Sequence, residues 1–351
     1  MDKIKRGFYI GNKKIGEGEI LLQGMIKGDL NNINSIYEEI DLMIEEGVDL
    51  IRVAVPDKKS IESVEKIVKY SKVPIIADIH FNPLLAILSI EAGVSKIRLN
   101  PSNIKKKEDI KKIVDLAKLK NVPIRVGGNI GSIYYEKKKQ GSIDDLLESV
   151  KREANLLESF DFHNIVISCK SDDPLDTIKI YEKLYKIYPY PLHIGITATG
   201  SDEDGIIKSV IGIGSLLLKG VGDTIRVSLS SESFYEVKIG RKILENLNLR
   251  KRDRIEIISC PKCSRCNKNF EKILKEVKEN FQDLKIPIKL SVMGCEVNAI
   301  GESKNATLGI AMTRGKILFF EKGKMIKSIE EEEIIPFLKK VLEGKTINVS
   351  E

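Results

Sequence analysis

Arginine interrupts an apolar run four times: Ile51-Arg52-Val53, Ile97-Arg98-Leu99, Ile124-Arg125-Val126 and Ile225-Arg226-Val227. Each run has the β-branched texture of a strand. A buried, unpaired charge is costly, so every guanidinium needs a partner. A structural ion pair would account for one of them. Four at equivalent places need more anions than the neighbouring sequence supplies. A ligand with several negative charges would satisfy them together, and the arginine fork suits bidentate contact with phosphate.

Strand parity extends the set, because residues two apart share a face. Arg98 shares its face with Asn100, Arg125 with Asn129, and Arg226 with Ser228. On other runs Asp78 goes with His80, Ser168 with Lys170, and His193 with Thr197. All stand toward the C-terminal end of their strand. Two of the three histidines belong to this group. Beside Asp78 they suit proton transfer or diphosphate contact; purely structural histidines remain the alternative.

A second chemistry lies further on. Cys260-Pro-Lys-Cys263-Ser-Arg-Cys266 holds two Cys-x-x-Cys spacings, and Cys295 follows in Val-Met-Gly-Cys-Glu-Val-Asn. Thiolates so spaced can share one soft metal centre, either zinc or an iron–sulfur cluster. A zinc ribbon would need a second cysteine near Cys295, and there is none. Proline after the first cysteine and glycine before Cys295 suit a cluster loop, where backbone closely approaches inorganic sulfur. Cys169, at the end of a strand-like run, reads as a small apolar residue.

These residues need a scaffold. Eight apolar runs read as strands: Ile20–Gly24, Leu50–Val55, Ile75–Asp78, Lys96–Leu99, Ile124–Gly127, Ile165–Cys169, Leu192–Thr197 and Thr224–Ser228. Helix-like segments alternate with them, as at Ile36–Glu46 and Asp144–Leu157. Alternation implies parallel pairing, and eight units suggest a closed TIM-like (β/α)8 barrel with its site at the strands' C-terminal ends. An open doubly wound sheet is the rival, but no Gly-x-Gly-x-x-Gly follows the first strand. The charged stretch Leu249–Arg254 marks a boundary. The expected domains are residues 1–250, a barrel with the anion site, and residues 251–351, a small α+β cluster domain. In the second, a helix is expected over Phe270–Phe281, strands over Ile288–Val292 and Ile317–Phe320, and a terminal helix with a frayed tail.

Composition narrows the function. Among 351 residues, 58 Lys and Arg stand against 51 Asp and Glu, a mixed surface rather than a nucleic-acid stripe. The short runs Lys105-Lys106-Lys107 and Lys137-Lys138-Lys139 read as solvated faces. No run has the ~20 apolar residues of a membrane helix, and the basic start has no apolar stretch after it. Five cysteines, four of them late in the chain, are not a secreted disulfide framework. The expectation is a cytoplasmic protein with no nucleic-acid or membrane partner.

The chain resembles the 4-hydroxy-3-methylbut-2-enyl diphosphate synthase family, iron–sulfur enzymes of the non-mevalonate route to isoprenoids. The resemblance covers nearly the whole chain. It is carried by Ile51-Arg-Val-Ala-Val-Pro-Asp57, Ala77-Asp-Ile-His-Phe81, Ile97-Arg-Leu-Asn-Pro101 and Pro123-Ile-Arg-Val-Gly127. Lys208-Ser-Val-Ile-Gly-Ile-Gly214, Gly222-Asp-Thr-Ile-Arg-Val-Ser228, Ile258-Ser-Cys-Pro-Lys-Cys263 and Val292-Met-Gly-Cys295 add to it. The resemblance implies a two-electron reductive ring opening and dehydroxylation of 2-C-methyl-D-erythritol 2,4-cyclodiphosphate. It implies flavodoxin or ferredoxin as electron donor, and a homodimer in which one subunit's cluster caps the partner's barrel. It implies a [4Fe-4S] cluster held by Cys260, Cys263, Cys295 and Glu302, the weak carboxylate leaving one iron exchangeable. The implied substrate residues are Arg52, Arg98, Asn100, Arg125, Asn129, Lys170, His193, Arg226 and Ser228, with Asp78, His80 and Glu302 in catalysis.

The chain departs from the family pattern at four places. Thr-Glu-Ala-Gly after the seventh strand reads Thr197-Ala-Thr-Gly200, which puts Ala198 where a glutamate is expected beside the reacting carbons. Gln-Ser-Met-Thr reads Gln23-Gly-Met-Ile26. Cys-Gly-Arg-Thr reads Cys263-Ser-Arg-Cys266, adding a thiol that could replace Glu302 as fourth ligand. Val-Val-Asn-Gly-Pro-Gly-Glu reads Glu296-Val-Asn-Ala-Ile-Gly-Glu302. Two alternatives to the family reaction stay open: a paralogue reducing another phosphorylated substrate, and a non-catalytic iron–sulfur sensor or electron relay.

Overall fold

The computed structural model describes residues 6–349, apart from 101–103, 105, 130–141, 198–199, 201, 298, 300, 302–303 and 314. The chain divides into two compact units, Met1–Arg250 and Lys251–Glu351.

The first unit opens with a hairpin, β1 (Phe8–Ile10) and β2 (Lys13–Ile15). The barrel strands follow: β3 (Leu21–Met25), β4 (Leu50–Ala54), β5 (Ile75–Asp78), β6 (Lys96–Arg98), β7 (Ile124–Val126), β8 (Ile165–Ile167), β9 (His193–Ile194) and β10 (Thr224–Ile225). They form one eight-stranded sheet in the order β8-β7-β6-β5-β4-β3-β10-β9, with every pair parallel. The seam between β8 and β9 is closed by the bridge Ile167↔Leu192. Past that bridge the strands part, and Tyr181 fills in. Its hydroxyl accepts from Cys169 N (3.1 Å) and donates to the His193 carbonyl. The eight expected strands are therefore present, each ending at or before its expected C-terminus except β3, because the polar rim residues leave the ladder.

Among the described residues eight helices alternate with the strands: α1 (Ile33–Glu45), α2 (Ser60–Tyr70), α3 (Pro83–Glu91), α4 (Lys107–Leu119), α5 (Ile143–Glu158), α6 (Pro174–Ile187), α7 (Asp202–Leu218) and α8 (Ser233–Asn246). Local chemistry starts several of them. Asn82 caps α3 and Asp173 caps α6, each just before a proline at the first helical turn, and Ser142 with Asp145 forms a capping box on α5.

Strand alternation separates two chemistries. Outward residues such as Ile51, Val53, Ile97, Ile124, Ile165 and Ile225 join the helices in one large core. Inward residues at the barrel's N-terminal end, Leu21, Leu50, Ile76 and Val166, form a separate cluster with Ile10 and Ile15 of the hairpin, which closes that end. Two residues further up each strand the inward face turns polar: Leu21 gives way to Gln23, Leu50 to Arg52, Ile76 to Asp78, and Val166 to Ser168. The floor is apolar on these four strands, while Lys96, His193 and Thr224 stand at the same level on β6, β9 and β10.

The second unit is a five-stranded sheet: β11 (Glu256–Ser259), β12 (Lys289–Met293), β13 (Leu308–Met312), β14 (Ile317–Glu321) and β15 (Lys324–Ile329), in that order. The first three strands are parallel, and the last two run antiparallel to their neighbours. Helix α9 (Phe270–Phe281) buries Phe270, Ile273, Val277 and Phe281, a stripe at helical spacing, against this sheet. Helix α10 (Ile334–Val349) ends the described chain. The expected α9, β12, β14 and terminal helix are found. The hairpin, β11, β13 and β15 were not anticipated. The lysine-bearing, largely exposed β15 is an edge strand, whose charges read as a loop in sequence but guard an edge in the fold.

Candidate active site

The charged mouth is built from strand ends. Arg52 on β4 and Arg98 on β6 flank Asp78 on the strand between them. Arg98 Nη1 lies 3.3 Å from Asp78 Oδ1, and Arg52 Nε lies 3.7 Å from Oδ2. All three are nearly buried. His80, half exposed above them, places Nδ1 2.9 Å from Arg98 Nη1 and Nε2 3.8 Å from Asp78. Burial opposes the Asp78 charge, but Arg52, Arg98 and Arg125 outweigh it and hold the carboxyl below its usual range. Burial and Arg98 hold the His80 imidazole below 6.5, so it is neutral at neutral pH.

Arg125 on β7 and Lys170 past the end of β8 are almost fully enclosed. The bridge Asn129↔Lys170 extends the β7–β8 pairing to the rim and fixes the lysine backbone. Its side chain reaches over β9 at Gly195, where a Cβ would stand 3.0 Å from the Lys170 ammonium and 2.5 Å from the Arg226 carbonyl. Only glycine leaves room for that close approach. Arg226 follows β10 and pairs with Glu236 of α8 at 3.3 Å. Glu236 also binds the Lys27 ammonium at 2.9 Å and accepts from Leu229 N, tying the loop after β10 to the loop after β3.

Cations thus outnumber acids in the barrel interior. Asp78 and Glu236 are the carboxylates that pair with the arginines, and among the described residues no carboxylate pairs with Arg125, Lys170 or Lys96. Burial, reinforced by neighbouring arginines, pushes the Lys170 and Lys96 ammonium groups and the Arg125 guanidinium far down. Buried polar atoms lack partners at Arg98 Nε, Arg125 Nη1, Arg226 Nε, His193 Nε2, Lys96 Nζ and both amide atoms of Gln23. All but the Gln23 amide oxygen can donate, and buried donors without partners in one interior are what a bound anion would satisfy.

The structure brings Arg52, Asp78, His80, Arg98, Arg125, Lys170 and Arg226 together, with Asn100, Asn129 and Ser228 just beyond their strand ends on the inward parity. It separates the two histidines. His193 begins β9, is fully buried, and shares a 2.7 Å hydrogen bond between Nδ1 and Thr224 Oγ1, so it does not stand beside Asp78. Sequence reading missed Lys96, Gln23, Lys27 and Glu236. Lys96 and Gln23 were within reach of the parity argument, since Lys96 shares its face with Arg98 and Gln23 with Leu21. Ala198 lies outside the described residues.

In the second unit Cys260 follows β11 and Cys295 follows β12. These strands are adjacent and parallel, with Ser259 opposite Val292, so both cysteines leave the same sheet edge. Gly294 N donates to Cys260 Sγ at 3.3 Å. Cys266 N donates to the Cys263 carbonyl at 2.9 Å, closing a turn, and Asn267 N ties that turn to the Gly294 carbonyl at 2.8 Å. Lys262, between the first two cysteines, takes the left-handed conformation with φ 67°. All four cysteines are free thiols. Burial first, then the Cys260, Cys263 and Cys295 sulfurs, raise the Cys266 thiol. Among the described residues no three His, Cys, Asp or Glu side chains gather as a single metal ion requires. Glu302 lies outside the described residues. Cys169 is fully buried in the barrel unit, where burial pushes its thiol up beyond reach.

The fold and the two sites define a β/α-barrel protein with a cation-rich mouth and a second unit that bears four free cysteines. The chain belongs to the GcpE family: its residues 5–241 match the GcpE TIM-barrel domain and residues 256–344 the GcpE protein C-terminal domain. It is 45% identical to a protein of Caldanaerobacter subterraneus subsp. tengcongensis over 98% of each chain. It is 46% identical to one of Caldicellulosiruptor saccharolyticus, covering 93% of this chain and 94% of that one. A protein of Malacoplasma penetrans is 42% identical over 97% of this chain and 94% of its own. All three are named 4-hydroxy-3-methylbut-2-en-1-yl diphosphate synthase (flavodoxin). The Yersinia pestis dihydropteroate synthase structure superimposes with a TM-score of 0.50 at 12% identity, over 70% of this chain and 99% of that one, a likeness of barrel fold alone. No helix among the described residues is long and apolar enough to cross a membrane.

Proposed function

We propose that this chain catalyses the reaction its relatives are named for. It reduces 2-C-methyl-D-erythritol 2,4-cyclodiphosphate to 4-hydroxy-3-methylbut-2-enyl diphosphate: two electrons and one proton enter, and water leaves. The observation that carries this reading is the excess of buried, unpaired cations at the barrel mouth, which matches a substrate with a compact diphosphate. Arg52, Arg98, Arg125, Arg226 and Lys170 bind the phosphoryl oxygens in a site that excludes water, where charge-assisted hydrogen bonds are strongest. Asp78 orients Arg52 and Arg98, and held so far toward its anion it is a poor acid. Of the two groups expected to manage protons, His80 is the better suited. It is half exposed, neutral when the site is empty, and gains basicity once an anion arrives beside it. Asn100, Asn129, Ser228 and His193 complete the polar lining.

Cys260, Cys263 and Cys295, with Glu302 as the family's fourth ligand, would hold a [4Fe-4S] cluster. Bound there, the cluster supplies the electrons, received from flavodoxin or ferredoxin. Thiols suit such a cluster, and two of these, Cys260 and Cys295, leave the ends of adjacent parallel strands. A cytoplasmic homodimer belongs to the same reading, and the mass of the protein in solution tests it.

Ala198 favours a second reading, a paralogue that reduces a different phosphorylated substrate with the same cations and thiols. Turnover by anaerobically reconstituted protein, with the cyclodiphosphate, dithionite and a viologen, separates the two. Formation of the hydroxymethylbutenyl diphosphate supports the first. An intact cluster without product, together with gain of activity in Ala198→Glu, supports the second.

A further inference from the structure

Cys266 has no counterpart in the family pattern and no role in the reaction above. We propose that its thiolate is a ligand of the cluster in the substrate-free protein, completing an all-thiolate shell with Cys260, Cys263 and Cys295. This inference rests on the cofactor reading above.

The local geometry supports it. A Cβ added at Gly294 would lie 2.3 Å from Cys266 Sγ, so the sulfur rests directly against the backbone of the residue preceding Cys295. Any side chain at 294 would evict it. The Cys263–Cys266 turn and the Asn267 N–Gly294 O hydrogen bond hold it there. The Asn267 side chain adds a further tie, donating to the Thr313 carbonyl at 2.7 Å. Below, Phe270 is fully buried and 3.2 Å from the same Gly294 position, so the start of α9 cannot swing the turn away. These contacts hold the thiol beside the loop that carries Cys295, and a fourth thiol near three ligands is a ready donor to the remaining iron.

An all-thiolate shell changes the chemistry in a way that can be read without turnover. A cluster with three thiolates and a weak fourth ligand, oxidised by one electron, releases Fe2+ and goes from [4Fe-4S]2+ to [3Fe-4S]+. A fourth thiolate opposes that loss. The experiment is a ferricyanide titration of anaerobically reconstituted full-length protein, followed by electron paramagnetic resonance. Wild type, Cys266→Ser, Cys266→Ala and Glu302→Ala are compared, with circular dichroism confirming the fold of each. The expected result is little three-iron signal in wild type and Glu302→Ala, and a strong signal in both Cys266 variants. Conversion of wild type as readily as Cys266→Ala would overturn the inference, as would conversion of Glu302→Ala alone. If iron and sulfide analysis found no four-iron cluster in reconstituted wild type, the cofactor reading itself would fall, and this inference with it.

Discussion

The barrel and the cysteine unit place their chemistry in opposite ways. In the barrel the functional groups are part of the interior: Arg125, Lys170, Lys96 and His193 are buried, carried by regular strands and committed by alternation to face inward. In the second unit the cysteines stand on loops past the ends of β11 and β12, half buried or exposed, and their arrangement is set by turns and backbone hydrogen bonds. A buried cation without a partner raises the energy of the ligand-free state, so the barrel trades stability for a site formed before its ligand arrives. A loop thiol costs little until oxidised. On the proposed reading the cysteine unit depends on a cofactor to complete its site, while the barrel needs only an anion.

This contrast can be broken from either side. The largest expected effect is from Cys295→Ala, which should abolish cluster incorporation and turnover while leaving diphosphate binding intact; iron analysis and calorimetry on the same sample check it. Loss of both functions together would show that the two sites are not separable. Next is Asp78→Asn, which leaves Arg52 and Arg98 without their shared carboxylate and should destabilise the protein by about 3 kcal/mol, read by chemical denaturation. Arg125→Met should split stability from affinity. Removing a buried, unpaired charge should raise ligand-free stability by about 1 kcal/mol, while diphosphate affinity falls by about 2 kcal/mol, roughly thirtyfold. Thermal shift with and without pyrophosphate reads both.

The smallest expected effect is in pH. Burial and neighbouring cations depress Lys170, His193 and His80. A bound anion raises them toward their ordinary values, so binding takes up protons and affinity strengthens as pH falls toward 6. The same groups destabilise the ligand-free fold. A base depressed in the folded state favours unfolding as pH drops below its unfolded value, so ligand-free stability should rise with pH across the neutral range. Calorimetric titration in two buffers of different ionisation heat counts the protons.

Much of this site was legible in the sequence because it breaks a pattern. A guanidinium between β-branched residues contradicts the texture of a buried strand, and four such contradictions point to a shared cause. Parity then carried the argument to Lys170, Asn129 and Ser228. Lys96 escaped because it stands first in its strand, where a polar residue reads as a boundary rather than as an interior charge. Glu236 and Lys27 escaped because they lie on α8 and after β3, and their meeting at Arg226 is a property of the closed barrel. The separation of His193 from Asp78 follows from strand order rather than parity, since β5 and β9 stand on opposite sides of the closed sheet. In the second unit the stripe from Phe270 to Phe281 fixed α9. Leu308–Met312, with a glycine and an alanine inside it, carries too little strand signal to be seen without its neighbours.

The central claim is that a ligand, not a structural counterion, balances the charge inside the barrel. Isothermal titration of the methylerythritol cyclodiphosphate into wild type and Arg125→Met tests it most directly. The expected result is binding accompanied by proton uptake in wild type, weakened roughly thirtyfold in the variant. No binding, or equal binding by the two proteins, would contradict it.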